Sequence, residues 1–265
     1  MIETIQTPIC KKHPIAQEVI EDILQLPYQK FVLALSHIAS SSDTHKFLKW
    51  GIEHNIWNNS GFRSEIVAIN VCDLIPVQNE IDIDKSLGFP LSSGIEIKEY
   101  LKETGIEVKG EDIVVFNGKY IMDGHHRWSQ IFCINPSTSI ECINLIRENT
   151  EPFDALKSVQ MAIAFCDGLI PTETVSGTNL LYAKKEDITA AVLKHLSDDA
   201  RQSFSELLEL NSDESIASYV WNNASRMQTH NAAIIDAPNR GVMPQTDTPK
   251  ENFKLVIDCL KNGII

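Results

Sequence analysis

The chain has 265 residues, 43% of them hydrophobic and 22% charged, with a formal net charge of −13. That length allows one large domain, or a core domain with sizeable extensions, and the composition is ordinary for a globular protein. The count along the chain is −1 for residues 1–62, −6 for 63–150 and −6 for 151–265, with no stripe of Lys and Arg. Phosphate contacts dominate nucleic-acid affinity, so this balance disfavours stand-alone DNA binding.

Residues 1–62 read as a helical N-terminal extension. Val19, Ile20, Ile23, Leu24 and Leu26 fall at helical spacing, Pro27 interrupts, and Phe31, Val32, Leu35 and Ile38 repeat the pattern. Ser40 to Thr44 predicts a loop that caps a third helix through Phe47, Leu48 and Ile52. The N-terminus has no basic segment followed by an apolar run, and no stretch approaches the ~20 apolar residues that span a bilayer. A cytoplasmic protein without a membrane partner is expected. The six cysteines contain no Cys-x-x-Cys pair, and buried structural thiols are expected of most of them.

Residues 63–150 change character and predict an α/β (α+β) core. Ile66–Val71 reads as a strand, and the acidic, glycine-containing 82–93 stretch as a loop able to close over a ligand. Ile95–Thr104 reads as an amphipathic helix. Val114, Val115, Tyr120, Ile121 and Met122 are strand formers, and Asn117-Gly118 between them predicts a hairpin turn. His125–Cys133 then reads as a helix and Ser139–Ile146 as the last strand. Residues 151–265 read as a helical C-terminal region, with helices over 153–165, 185–196, 199–210, 214–229 and 253–261. Ser197-Asp198 is a candidate cap. The segment around Asn239-Arg240-Gly241 reads as an ordered surface tail, with a fold-back that offers Arg240 as the alternative.

The chemistry concentrates at Asp123-Gly124-His125-His126-Arg127, a strand end, a glycine turn and a helix start. A helix N-terminus presents unpaired N–H groups and a positive dipole end. Gly124, His125, His126 and Arg127 there read as a phosphate or carboxylate site. Adjacent histidines on a helix project about 100° apart, which opposes a shared metal ion. Arg127 offers a planar fork for phosphate oxygens, its rival role being a structural ion pair with a carboxylate. Asp123 is either a turn former or a residue that orients substrate or a cation. Trp128 is expected to pack on the sheet. Gln78, Glu80, Asp82 and Asp84 follow the first strand; a solvated loop is one reading, and the other is a carboxylate that binds Mg²⁺ or acts as a base, with Gln78 a candidate phosphate-binding residue.

The 123–127 motif, its flanking strands and the upstream Ile69–Gln78 segment resemble the ParB/sulfiredoxin superfamily over about residues 63–147. The resemblance implies a ParB/sulfiredoxin-like core flanked by helical regions, and a bound nucleotide (ATP, ADP or CTP with Mg²⁺) held at this turn. His125 stands where sulfiredoxins carry a catalytic cysteine, which excludes that reduction. The motif is most similar to that of free-serine kinases, which implies phosphoryl transfer to a small hydroxyl acceptor, or NTP hydrolysis. In those kinases the matching aspartate belongs to the active site, so Asp123, Glu80 and His125 are the candidate catalytic residues. Gln78 stands where they carry a glutamate, which leaves a non-catalytic nucleotide-binding protein open. The other rival, a DNA-associated partition or nuclease protein, implies a basic face and a helix-turn-helix after residue 150.

The charge balance carries a direct test. Titration of random duplex DNA at ~150 mM salt should give no mobility shift below micromolar protein, ordinary non-specific constants being roughly 10⁻⁴–10⁻⁶ M. A submicromolar shift would contradict the reading.

Overall fold

The computed structural model describes residues 22–39, 62–102, 106, 112–167 and 177–243, with 36–39 and 162–167 described for backbone only. The helices expected through 47–52 and over 253–261 lie outside these residues. The fold is α+β, as expected, built on one five-stranded mixed sheet. The chain divides into two compact units. One comprises residues 1–63, 147–172 and 244–265; the other comprises 64–146 and 173–243. The region after 150, read as one body, is therefore shared between them.

In the first unit, α1 (Tyr28–Ala39) follows Pro27 and buries Phe31, Val32 and Leu35. Helix α5 (Pro152–Asp167) packs with it. The buried Lys157 is held there, its Nζ donating to Leu24 O at 2.7 Å and to Asp154 Oδ1 at 3.1 Å. Pairing in this way offsets the cost of burying an ammonium.

In the second unit the strand order is β1 (Arg63–Asn70), β5 (Ser139–Ile146), β3 (Ile113–Phe116), β4 (Tyr120–Asp123), β2 (Ile75–Pro76). Strands β3 and β4 form the expected antiparallel hairpin, while β3 pairs β5 and β2 pairs β4 in parallel. Asn117 and Gly118, the central residues of the turn that Lys119 N–H closes on Phe116 O at 3.1 Å, both take positive φ, 50° and 65°. The β3–β4 register shifts between Val114 and Val115, and this irregularity lies beside Asp123. Helix α4 (His125–Ile134) buries Trp128, whose Nε1–H donates to Val71 O at 2.9 Å and whose ring meets Phe132 edge-on. Trp128 is thus a packing residue, as expected.

Residues 82–93 are not a loop. Ile83, Leu87, Pro90 and Leu91 make a buried stripe at helical spacing on α2 (Ile83–Leu91), which Asp82 caps by accepting from Lys85 N–H at 2.9 Å. Asp84 and Gly88, the loop-like residues of this stretch, lie outside that stripe. Helices α3 (Gly94–Tyr100), α6 (Lys185–His195), α7 (Asp198–Leu208) and α8 (Asp213–His230) complete one apolar core with α2 and α4. Ser197 caps α7, accepting from Ala200 N–H at 3.1 Å. Cys133 and Cys142 are buried in that core, and desolvation pushes both thiols up to about 12. None of the described helices is long and apolar enough to cross a membrane.

Helices α3 and α7 approach so closely that a Cβ on Gly94 would lie 2.5 Å from Asp199 O and 2.7 Å from Ser203 Oγ. Gly94→Ala should therefore lower stability by about 1–3 kcal/mol, the ordinary cost of overpacking. A urea midpoint that does not move would show that the two helices are free to separate.

Candidate functional site

Gly124 closes β4 and caps α4 at φ +91°, ψ +22°, a left-handed conformation that L side chains rarely adopt. A Cβ there would also lie 3.0 Å from Ile113 Cγ1 and 3.1 Å from Arg127 Nη2. The glycine thus has structural reasons of its own. As N-cap, Gly124 brings no side-chain acceptor of the usual Ser, Thr or Asp kind to the first-turn donors of α4.

Arg127 forms the ion pair that was its rival role, with Nη2 2.8 Å from Asp123 Oδ2 one helical turn back. It also donates to Asp112 O at 3.4 Å. Burial pushes the Asp123 carboxyl upward, against the pull of Arg127 and the Gly124 N–H.

Both histidines are held neutral. Burial, then the charges of His126, Arg127 and Arg240, push His125 down to about 3, with a hydrogen bond to the Ile121 backbone opposing them. His126 is likewise pushed down to about 3 by burial, Arg240, Lys85 and Arg127, with Asp82 opposing. Its Nε2 accepts from Asp82 N–H at 3.1 Å, so the proton of the neutral ring sits on Nδ1. His125 is 5% exposed, and its Nε2 has no hydrogen-bond partner among the described residues. With Nδ1 donating to Ile121, that Nε2 carries a lone pair.

The 78–84 stretch is built against this turn rather than left in solvent. Gln78 is buried, and its Nε2 donates to Glu80 O. Glu80 Oε2 accepts from the Arg240 backbone N–H at 2.9 Å. The 239–243 segment is therefore folded back, the alternative to the expected surface tail. Asp84 points elsewhere, to His195 Nε2 at 2.6 Å and Lys194 Nζ at 2.9 Å on α6. These partners hold its carboxyl below the usual range and make it a helix–helix tie.

Asn179 was not singled out in the sequence. Its Oδ1 accepts from Ile81 N–H and Leu181 N–H, both at 3.1 Å, and its Nδ2 donates to Asn79 O at 2.7 Å. Tyr182 adds its hydroxyl to Asn79 Oδ1 at 2.5 Å. The only local signal was that of an Asn capping a short turn, the 3-10 helix Leu180–Tyr182. Beneath the turn, Ser86 Oγ and Ser129 Oγ lie 2.7 Å apart, both fully buried, and bond to Asp82 O and His126 O respectively.

Asp123, Gly124, His125, His126 and Arg127 thus form one turn, Asp82 N–H bonds to its His126, and Gln78 and Glu80 lie in the segment leading to Asp82, where Glu80 holds the Arg240 backbone. Among the described residues no group of three or more His, Cys, Asp or Glu is arranged to hold a metal ion. Asp123, Glu80 and Asp82 are each engaged by the partners above, so a Mg²⁺ bound by protein ligands alone does not fit. Compared with protein-family models, curated proteins and solved structures, the chain matches none.

The neutral histidines set a pH dependence. An unfolded histidine takes up a proton near 6.5, whereas folded His125 resists until about 3, so acid favours the unfolded chain between those values. Asp123 works in the opposite sense, because its folded carboxyl keeps its proton to higher pH than the unfolded one. Stability measured between pH 7 and 4 should consequently fall less in His125→Gln than in the wild type, by up to ~1.4 kcal/mol per pH unit. Parallel curves would mean that His125 is not held neutral.

Proposed function

We propose that this protein binds a nucleoside di- or triphosphate at the β4–α4 turn and transfers or hydrolyses its terminal phosphoryl group. The observation that carries the reading is a positive field in an acidic chain. After burial, Arg127 and Arg240 depress the proton affinity of both histidines, with Asp82 acting against them at His126. An uncapped helix start lies at the same place. Anions are favoured by such a convergence of dipole, guanidinium and N–H donors. The motif order, Ile69–Gln78 followed by Asp123–Arg127, adds the resemblance to the ParB/sulfiredoxin superfamily and to its free-serine kinases.

In this reading Gly124 and the first turn of α4 receive phosphate oxygens together with Arg127, and His126 Nδ1–H is a further donor. His125 Nε2, a buried lone pair, accepts the proton of an attacking hydroxyl or water. Its basicity is low in the free protein, but a bound phosphate offsets the fields of Arg127 and Arg240 and raises it. Asp123 fixes Arg127. ATP, ADP and CTP are the candidate nucleotides, any Mg²⁺ entering on their phosphates, and free serine is one candidate acceptor.

Binding without turnover is the second reading, and Gln78 favours it. An amide replaces the glutamate that the resemblance calls for, and it is tied to Glu80 O. The DNA-associated reading has no such support. Helix α7, two residues after α6, opens with Asp198 and Asp199, and its Arg201 is paired with Asp198 and Asp213.

Calorimetric titration with ATP, ADP and CTP, each with Mg²⁺, should find saturable binding. Arg127→Gln should weaken it at least tenfold, ~1.4 kcal/mol. Unchanged affinity in a folded variant would remove the phosphate assignment. Absence of turnover with free serine, threonine or water, despite tight binding, would select the second reading.

A further inference from the structure

The chain that follows α8 runs alongside residues 72–80 and advances with them. Buried Asn231 donates from Nδ2 to Cys72 O at 2.7 Å and to Leu74 O at 2.9 Å. Ile234 N–H then donates to Pro76 O at 3.3 Å, and Asn79 N–H to Pro238 O at 2.9 Å. Arg240 N–H reaches Glu80 Oε2 at 2.9 Å, and the 3-10 turn Arg240–Val242 begins there. The bonds before it fix the strip up to residue 238. The Glu80 carboxylate carries the series on to Arg240. A backbone N–H bonded to a carboxylate is roughly twice as strong as one bonded to a neutral acceptor.

We propose that Glu80 is a positioning residue, a latch that holds the 238–240 strip against the 78–82 loop and so presents Arg240 to the β4–α4 turn as an anion-binding residue of that site. This contrasts with the catalytic role that the sequence suggested for Glu80. An oxygen engaged by a backbone N–H is poorly placed to take a substrate proton, whereas the segment it secures carries a guanidinium whose field reaches both motif histidines. The motif then supplies one arginine, Arg127, already tied to Asp123, and the strip supplies the second from about 110 residues further along the chain. Two guanidiniums suit a ligand with more than one phosphate charge, such as a diphosphate chain, better than a monoanion. The anion role rests on the proposed function; the latch does not.

Glutamine keeps an acceptor oxygen at position 80 and alanine removes it, which separates a latch from a base. Hydrogen exchange of the Arg240 amide, followed without ligand, should be slow in the wild type and in Glu80→Gln. In Glu80→Ala it should speed up by at least about tenfold. With inorganic pyrophosphate and ADP as calorimetric probes, Arg240→Gln and Glu80→Ala should each bind at least about tenfold more weakly than the wild type. Glu80→Gln should stay within about threefold. Wild-type affinity in Arg240→Gln, with normal binding by the wild type, overturns the inference and leaves the proposed function standing. Equal losses in Glu80→Gln and Glu80→Ala overturn the latch, as does an Arg240 amide that exchanges equally in all three proteins. Failure of the wild type to bind either probe overturns the anion role together with the proposed function.

Discussion

Gly124 at φ +91° is the constraint from which the rest of the site follows. The chain leaves β4 at Asp123 and enters α4 at His125 with a single residue between, so all the reversal falls on one pair of dihedrals. A left-handed conformation achieves it, and only glycine adopts it without strain. The tightness of the turn then sets the chemistry. Asp123 and Arg127 fall one helical turn apart and pair across the glycine. His125 and His126 take the first two helical positions, where the helix dipole disfavours a positive charge.

That placement explains how a chain of net charge −13 sets cationic side chains around this turn. Net charge is a sum over the surface, whereas the local field depends on which charges are close and how far they are shielded from water. Near the turn the nearby acids are spent on partners: Asp123 on Arg127, Glu80 on the Arg240 backbone and Asp82 on the start of α2. Neutrality of the imidazoles also has a geometric side. His126 accepts the Asp82 N–H only while Nε2 keeps its lone pair, so its protonation would unseat the residue that caps α2. The charge state of the turn and the position of α2 are one linked variable.

Where a local rule was sufficient, the sequence reading reached the residue. Asn117-Gly118 specifies its turn by the positive φ it needs, and Ser139–Ile146 is a strand with the bounds expected. The adjacent placement of Asp123, Gly124, His125, His126 and Arg127 follows from chain neighbourhood alone. Long-range pairing was less legible. The dual outcome for Arg127, phosphate fork or ion pair, turns on whether Asp123 lies one turn back with its carboxylate inward, which residue type does not specify. Residues 82–93 carry two acids and a glycine, and these masked the buried stripe that makes them α2. Asn179 and the 231–240 strip are joined to residues 72–81 by bonds in which at least one partner is a backbone group, and backbone groups leave no mark in a sequence.

The deepest link between site and core is the Ser86–Ser129 pair, and its proton count is the reason. Three short contacts run in series, Asp82 O to Ser86 Oγ, Ser86 Oγ to Ser129 Oγ, and Ser129 Oγ to His126 O. Two hydroxyls supply two protons, so one of the three contacts lacks a hydrogen in any arrangement. If the serines point away from each other, both carbonyls are satisfied and two bare oxygens face each other at 2.7 Å. If one turns inward, the central bond forms and one carbonyl loses its donor. Both carbonyls also serve helices, Asp82 O accepting the Ser86 N–H at the first turn of α2 and His126 O lying in the first turn of α4. With both serines fully buried, no water competes for the missing bond. The pair therefore ties the first turns of α2 and α4 together while leaving a choice of hydroxyl orientation. That choice couples the Asp82 cap on one side to His126 on the other.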